Sequence, residues 1–383
     1  MIKIIQIILV IALTFSTTAL KVLADTEIKI GLLIPLTGKN YEIGQSIIKS
    51  TRLAVNKINN SSIEIIPKDT KSNPTDALKA AKELQKLGIK IVIGPVFNKN
   101  IIYLNELKEM TFISLTNKSG NKSKNIINAG INATSQLNGI KKFIELNEIK
   151  KTIFLTPDVD YKNEIENAID DSKIKILGNY IYQTDPTKLT NQIEKITNYK
   201  IRKQNLKDEI VRLEKSDQNN KERLIEKLKK RDTLGGVKFD SIIIADFDES
   251  LKSVTTSLLY TDISPKKKYF ITLNQWFDKS LLEEASVQPL YFPSINKSNY
   301  KDFSTEYFEK FNQYPNQLSF LSFDLVGLIY YLIIQNNSII DEKIFTEKNL
   351  FKGKIGIFEI KNNKINHILN FYKVENNEFK KIF

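Results

Sequence analysis

The sequence predicts an α/β fold of two lobes, each a mostly parallel sheet flanked by helices, with a helical hairpin inserted in the second lobe. Three observations lead there. Apolar runs such as IKIGLLIP (28–35) are continuous rather than alternating, as expected of strands covered on both faces. Each run is followed by a stretch of helical periodicity, and βα alternation implies a parallel sheet wrapped by helices. The alternation restarts near residue 133, and 383 residues suffice for two domains.

Taken in order, IKIGLLIP passes through the loop LTGKNYEIG into a helix whose Ile43, Ile47, Ala54, Val55 and Ile58 share a stripe. IEIIP (63–67) is the second strand. Asn73-Pro74 caps a helix that carries Ala77, Leu78, Ala81 and Leu84 on one face and stops at Gly88. IKIVIG (89–94) and TFISL (111–115) are strands with helix between them. The second series runs helix (ATSQLNGIKKFIEL), strand TIFLTP, a helix from Tyr161, strand KILGNYIY, a long helical stretch, SIIIADF, another helix and KYFITL. Past residue 288 an extended piece, PLYFPS, precedes helices at 299–312 and 318–335. The tail KIGIFEIKNNKINHILNFYKVENNEFKKIF alternates and turns at Asn-Asn pairs, the pattern of β-hairpins.

One segment departs from the alternation. Residues 199–236 are heavily charged, with Leu206, Ile210 and Leu213, then Leu224 and Leu228, at helical spacing around the turn SDQNN. This reads as a helical hairpin whose apolar stripe is satisfied between its own two helices. It is either a solvated insertion held by i,i+4 Glu/Lys pairs or a partner-docking arm.

Composition narrows the function classes. Apolar residues make up 41% of the chain, which places it among ordinary globular proteins. The net charge of +13 is scattered along the chain without interleaved aromatics, so nucleic acid is not an expected partner. At the N-terminus, Lys3 and the apolar run 4–15 lead to Val22 and Ala24 ahead of Asp25. That is the pattern of a cleaved secretory signal over 1–24. With no cysteine there are no disulfides and no lipid-modified N-terminal Cys. The expectation is an exported, soluble, unlipidated periplasmic protein. After the signal the most apolar stretch, 325–334, is too short to span a bilayer, so no integral membrane segment is expected.

Enzyme motifs are scarce. Gly38 and Gly44 are too far apart for a phosphate loop, and Gln45-Ser46 stands where Lys-Ser/Thr would be needed. Ser-x-x-Lys occurs at Ser46, Ser119, Ser172, Ser264, Ser294 and Ser298, but without the later motifs a penicillin-recognising nucleophile requires. The only histidine, His367, has no acidic or hydroxyl neighbour in sequence and reads as structural. No catalytic residue, metal or cofactor is expected.

IGLLIPLTGKNYEIGQSIIKSTRLAVNKIN, IVIGPVFN, FISLTN, FLTPDVDYKNEIENAI, LSFLSFDLVGLIYYL and FKGKIGIFEIKNNK together resemble the type I periplasmic binding proteins of the leucine/isoleucine/valine-binding class. Within that class GPVFN, TPDVDY and the charged insertion ending in DTLGG are most similar to the penicillin-binding protein activators. The resemblance implies two lobes joined by three hinge segments, each lobe built from two parts of the chain. The first lobe takes 25–131 and 289–338; the second takes 132–288, with the hairpin at 199–236, and 339–383. It places Asn98, Thr116, Asn117, Tyr161, Phe247 and Asn274 at the ligand-contact positions. Amino-acid binders of the class carry an aromatic where this chain has Ile43 and an acid near Asn274 to meet the ammonium, while Lys118 adds a positive charge here. An unpaired buried ammonium is costly, so a neutral or acidic small polar ligand fits better than an amino acid. The implied function is non-enzymatic regulation of peptidoglycan synthesis through contact with a peptidoglycan synthase (a penicillin-binding protein). The alternative is the solute-binding subunit of an amino-acid or amide ABC transporter, with the ABC permease as partner.

Overall fold

The computed structural model describes residues 27–60, 62–118, 123–336, 342–346, 348–354, 356–361 and 364–383. The predicted signal over 1–24 and the start at Asp25 lie outside the described residues. Along the chain the elements are β1 (Ile28–Ile34), α1 (Tyr41–Ile58), β2 (Ile63–Asp69), α2 (Pro74–Lys86), β3 (Ile91–Ile93), β4 (Thr111–Ser114) and β5 (Ile126–Asn128). The second series is α3 (Ala133–Leu146), β6 (Thr152–Pro157), α4 (Lys162–Ser172), β7 (Gly178–Tyr182), α5 (Pro186–Ile196), α6 (Tyr199–Glu214) and α7 (Lys221–Lys229). It continues with β8 (Ser241–Ile244), α8 (Asp248–Tyr260), β9 (Tyr269–Thr272), α9 (Ser280–Glu283) and β10 (Leu290–Ser294). Helices α10 (Lys297–Phe311) and α11 (Gln317–Gln335) follow. The chain then closes with β11 (Asn349–Lys352), β12 (Ile357–Lys361), β13 (Lys364–Ile368), β14 (Asn370–Glu375) and β15 (Glu378–Lys381).

The chain forms two compact units. The first takes residues up to Thr116, the segment ending at Ile127, and the stretch from Tyr307; the second takes Asn128–Glu306 and Lys348–Phe383 as its main parts. In the first unit the sheet order is β2-β1-β3-β4-β5, with β1 to β4 parallel. One face packs on α2 through Leu33, Val92 and Phe112 against Ala80, Ala81 and Leu84. Asn73 does cap α2: its Oδ1 accepts the N–H of Thr75 at 2.8 Å and of Asp76 at 3.3 Å. Helix α11 packs on α1, where Ser46 and Ser319 share a buried hydroxyl hydrogen bond of 2.6 Å.

In the second unit the order is β15-β14-β10-β9-β8-β6-β7, parallel from β10 to β7 and antiparallel at β14 and β15. Alternate strand residues face opposite sides. Ile153, Leu155, Ile242 and Ile244 pack with α5 and α8 residues Leu189, Ile193 and Val254. Phe154, Ile243 and Ile271 pack with Leu137, Ile140 and Phe143 of α3 on the other side. Both faces are thus buried, as the unbroken apolar runs require. A separate antiparallel sheet, β11-β12-β13, sets Phe358 and Ile360 inward.

Four expectations are corrected. Between β3 and β4 the described residues form two short 3-10 helices, Asn98–Ile101 and Leu104–Glu106, rather than an α-helix. The segment from 289 does not open the return to the first unit, because β10 hydrogen-bonds β9 and β14 in the second sheet; the return begins at Tyr307. The helix predicted at 318–335 is present, but the expectation that no later stretch is long enough to span a bilayer does not hold. At 19 residues α11 is long and apolar enough to cross a membrane, yet its Phe320, Leu325, Val326, Leu328, Ile329, Leu332 and Ile333 are buried inside the first unit. Finally, the hairpin α6–α7 is present, but its root is not self-contained: Tyr199 and Arg202 are buried in the second unit's own structure.

Candidate functional site

In the first unit, the loop after β1 is tied down by the acid that ends β2. Asp69 Oδ1 accepts the N–H of Leu36 at 2.8 Å and of Lys71 at 2.8 Å, and Oδ2 accepts the Thr37 hydroxyl at 2.5 Å. Burial pushes the Asp69 carboxyl up, but the Thr37 hydroxyl and the N–H groups of Lys71, Leu36 and Thr37 outweigh it and hold it below the ordinary carboxylate value. The two loop glycines have separate causes. Gly38 sits at φ +81, the left-handed region that glycine occupies without strain. At Gly44 a Cβ would lie 1.8 Å from the Pro35 carbonyl oxygen, so the first turn of α1 can approach the end of β1 only without a side chain. Of the expected contact residues, Asn98 is exposed at the start of a 3-10 helix and Thr116 is buried beyond β4. Asn117 and Lys118, which belong to the second unit, are exposed, with the Lys118 carbonyl accepting from Asn128 Nδ2 at 2.6 Å.

In the second unit β6, β7, β8 and β9 are mutually parallel and end at Pro157, Tyr182, Ile244 and Thr272. Their carboxyl ends therefore share one edge, where open α/β sheets bind ligands. The structure brings Tyr161, Phe247 and Asn274 to this edge, around a residue the sequence reading missed. Asp246, just beyond β8, is 5% exposed. Its Oδ2 accepts the Tyr182 hydroxyl at 2.5 Å, and its Oδ1 accepts the Phe247 N–H at 3.0 Å. The Tyr161 hydroxyl lies 3.5 Å from Oδ1 and donates to the Ala245 carbonyl at 3.2 Å. Thr272 and Gln275 donate to the Asp246 carbonyl oxygen at 3.2 and 3.3 Å.

Burial pushes the Asp246 carboxyl above its ordinary value, against the pull of the hydrogen bonds from Tyr182, Phe247 and Tyr161. Burial, then the nearby Asp246 charge, raises both tyrosine hydroxyls as well, so they stay protonated and able to donate. An acid therefore lies at the end of the strand adjacent to the one that leads to Asn274. Its only signal in the sequence is an Asp placed between the apolar run SIII and Phe247.

Asn274 is 4% exposed. Its Oδ1 accepts the Trp276 N–H at 3.0 Å and the Ser294 hydroxyl at 2.8 Å, which fixes the amide so that Nδ2 is a donor; that nitrogen has no partner among the described residues. The Asn274 N–H donates to Gln136 Oε1 at 2.8 Å. The edge therefore offers a buried carboxylate held by hydroxyls, one unpaired amide donor, and the aromatic rings of Tyr161 and Phe247. Such a set can hold a small polar molecule. It contains no nucleophile paired with a base, and among the described residues no group of His, Asp or Glu could hold a metal.

The parallel order, the helices on both faces and the strand-end site define the relatives. Residues 27–201 match the family model for periplasmic binding proteins. Over those residues the chain is similar to that family, and it has no match among curated protein sequences. Among solved structures it is similar to a putative branched-chain amino acid ABC transporter protein from Rhodospirillum rubrum, at 13% identity and TM-score 0.69, covering 93% of this chain and 99% of that one. The LpoA C-domain from Haemophilus influenzae, a regulator of PBP1A, is similar at 14% identity and TM-score 0.62, with 93% and 100% covered. The leucine binding protein LivK from Thermotoga maritima is similar at 16% identity and TM-score 0.56, with 93% and 98% covered. At these identities the likeness establishes the two-lobed type I periplasmic binding fold. The matched family is a ligand-binding, generally non-enzymatic class found in the periplasm or at the cell exterior.

Proposed function

We propose that this protein is a regulator of peptidoglycan synthesis, of the penicillin-binding-protein-activator kind, acting in the periplasm by contacting a peptidoglycan synthase. The observation that carries the reading is the internal commitment of the second unit's edge. Asp246 is engaged by Tyr182 and Phe247, and Asn274 Oδ1 by Trp276 and Ser294. A solute carrier needs such groups free to meet its cargo, because each polar group left unpaired on burial costs about 1–3 kcal/mol. The similarity to a PBP1A regulator over the same 93% of the chain is in keeping with this. Asn98, Thr116, Asn117, Tyr161, Phe247 and Asn274 are proposed as the positions that would touch a small polar ligand.

A second reading has its own support. A carboxylate beside the rings of Tyr161 and Phe247 is chemistry suited to an ammonium, and would serve the binding subunit of an amino-acid or amide ABC transporter. A thermal-shift screen of the twenty amino acids at millimolar concentration separates the two. A ligand at a hundred times its dissociation constant adds about 2.7 kcal/mol to the folded state, which is easily seen as a shift. The regulatory reading expects none; a clear shift with leucine, isoleucine or valine would overturn it in favour of the transporter.

A further inference from the structure

Helices α5 and α6 meet at a sharp elbow. The Thr197 N–H closes α5 by donating to the Ile193 carbonyl at 2.9 Å, and its hydroxyl donates to the same oxygen at 2.8 Å. The next residue, Asn198, takes the left-handed conformation (φ 51, ψ 36), which asparagine tolerates better than most residues. Its carbonyl accepts the Arg202 N–H at 3.0 Å, so α6 starts at once in a new direction. The concave side of this elbow is a cavity of about 560 Å³ lined by Asn191, Glu194, Lys195, Asn198, Lys200 and Ile201.

The lining has a definite chemistry. Ile201 is 61% exposed although it lies one residue from the buried Arg202. The Glu194 side chain is only 13% exposed and meets Lys200 Nζ at 3.4 Å, so the single lining acid is already paired. Lys195 stands on the rim with no carboxylate partner among the described residues. Lys203 and Lys207 continue the α6 face begun by Lys200 at i+3 and i+7; Lys203 is shared with Asp232 at 3.7 Å, and Asp208 adjoins Lys207. The surplus is positive, as it is for the whole chain at +13.

We propose that this elbow is the docking site for an acidic segment of a protein partner, which seats one bulky apolar side chain on Ile201 and sets a carboxylate against Lys195, with Lys200, exposed but shared with Glu194, as the secondary cation. A desolvated apolar anchor ringed by complementary charge is how compact protein interfaces gain both affinity and orientation. The cavity has room for one large side chain and its flanking backbone. The polar turn 216–220 at the far end of the hairpin carries no apolar residue that could enter a lipid surface. The proposal rests on the regulatory reading, and names the surface through which that regulation would act.

The test has two arms, each run on wild type, Ile201→Asp, the pair Lys195→Glu/Lys200→Glu, and the pair Arg223→Glu/Lys227→Glu on α7 as control. All the substituted positions are solvent-facing. Lys200→Glu also removes the partner of Glu194, so Lys195→Glu alone is run beside the pair. That single variant, Ile201→Asp and the control should melt as wild type does, with Ile201→Ala as the milder substitute. In the first arm a purified peptidoglycan synthase from the same cell is measured by biolayer interferometry. Binding should weaken with salt, fall at least tenfold in the elbow variants and stay within twofold in the control. Equal binding by all variants would overturn the elbow site and leave the regulatory reading standing; no binding by wild type would remove the regulatory reading. In the second arm a random twelve-residue peptide library on phage is selected on the wild-type protein. Enriched peptides should combine Asp or Glu with a bulky apolar residue and lose at least tenfold on the elbow variants. Enrichment without acids, or indifference to the elbow variants, would overturn the site whatever the synthase does.

Discussion

Arg202 Nη2 donates to the Thr261 carbonyl at 2.6 Å and to the Thr233 hydroxyl oxygen at 3.0 Å. Thr261 is the residue that closes α8, so the guanidinium satisfies a helix-terminal carbonyl and sits at the negative end of the helix dipole. Thr233 in turn donates to Asp262 at 2.6 Å. The root of the hairpin is therefore part of the second unit, while its outer turns are not.

This sets what a deletion should do. Removing residues 201–232 takes away Arg202 and leaves the buried Thr261 carbonyl without its partner, a loss of about 1–3 kcal/mol before any packing is counted. Removing 207–230 with a short Gly-Ser join spares Arg202, Leu206 and Thr233. The shorter deletion should unfold within a few degrees of wild type and the longer one well below it, by thermal denaturation. Equal melting of the two would mean that Arg202 is not structural.

Tyr182→Phe should destabilise the protein by about 1.5–3 kcal/mol at neutral pH, because it removes a hydrogen bond to a buried carboxylate. Asp246→Asn should be close to neutral there. The Asp246 carboxyl is raised above its unfolded value, so its ionised form opposes folding at high pH, and that opposition fades as pH falls through the folded value. Asp246→Asn should thus lose ground to wild type on acidification. Urea denaturation of both variants across pH checks the sign.

His367 gives an opposite pH signature. Its Nε2 lies 2.7 Å from the Ala129 carbonyl, its N–H donates to Ser135 Oγ at 3.0 Å, and Phe358 packs on the ring at 4.8 Å. Burial lowers the imidazole to about 4, against the smaller raising effect of the Ala129 hydrogen bond. The unfolded state therefore binds the proton first. Stability is fully present above about 6.5 and is lost as pH falls towards 4, by about 3 kcal/mol in all. His367→Gln should flatten that part of the profile; an unchanged difference between pH 7 and pH 4.5 would show that the ring is not held neutral.

Gly44→Ala should cost about 3 kcal/mol, since the added methyl meets the Pro35 backbone and not a side chain that can turn away. Gly38→Asn, where nothing lies within 4 Å and the conformation suits asparagine, should cost much less. The ratio of the two, from denaturation midpoints, tests whether close approach or turn geometry governs this loop.

The strand and helix alternation was legible because both sheet faces are covered, which leaves a local mark: Ile153, Phe154 and Leu155 are all buried, so no polar residue interrupts them. Where the chain changes units was less legible. PLYFPS is apolar enough to join either sheet, and only its pairing with β9 and β14 decides. Asp246 escaped notice for a related reason. With Asp248 and Glu249 just after it, it reads as one of the acids that favour a helix start. What sets it apart is Tyr182, 64 residues earlier, which no local pattern reveals.

The hydroxyl pair Ser46–Ser319 spans 273 residues of chain, and β10 is flanked by β14, formed from residues 370–375. The apolar stripe of α1 is thus covered by a helix that lies far along the chain. The second sheet likewise takes β14 in beside β10 from about 80 residues further on. Contacts of such long separation close slowly, so this protein should fold slowly and leave apolar faces open to chaperones and proteases for longer than a bundle of local contacts would.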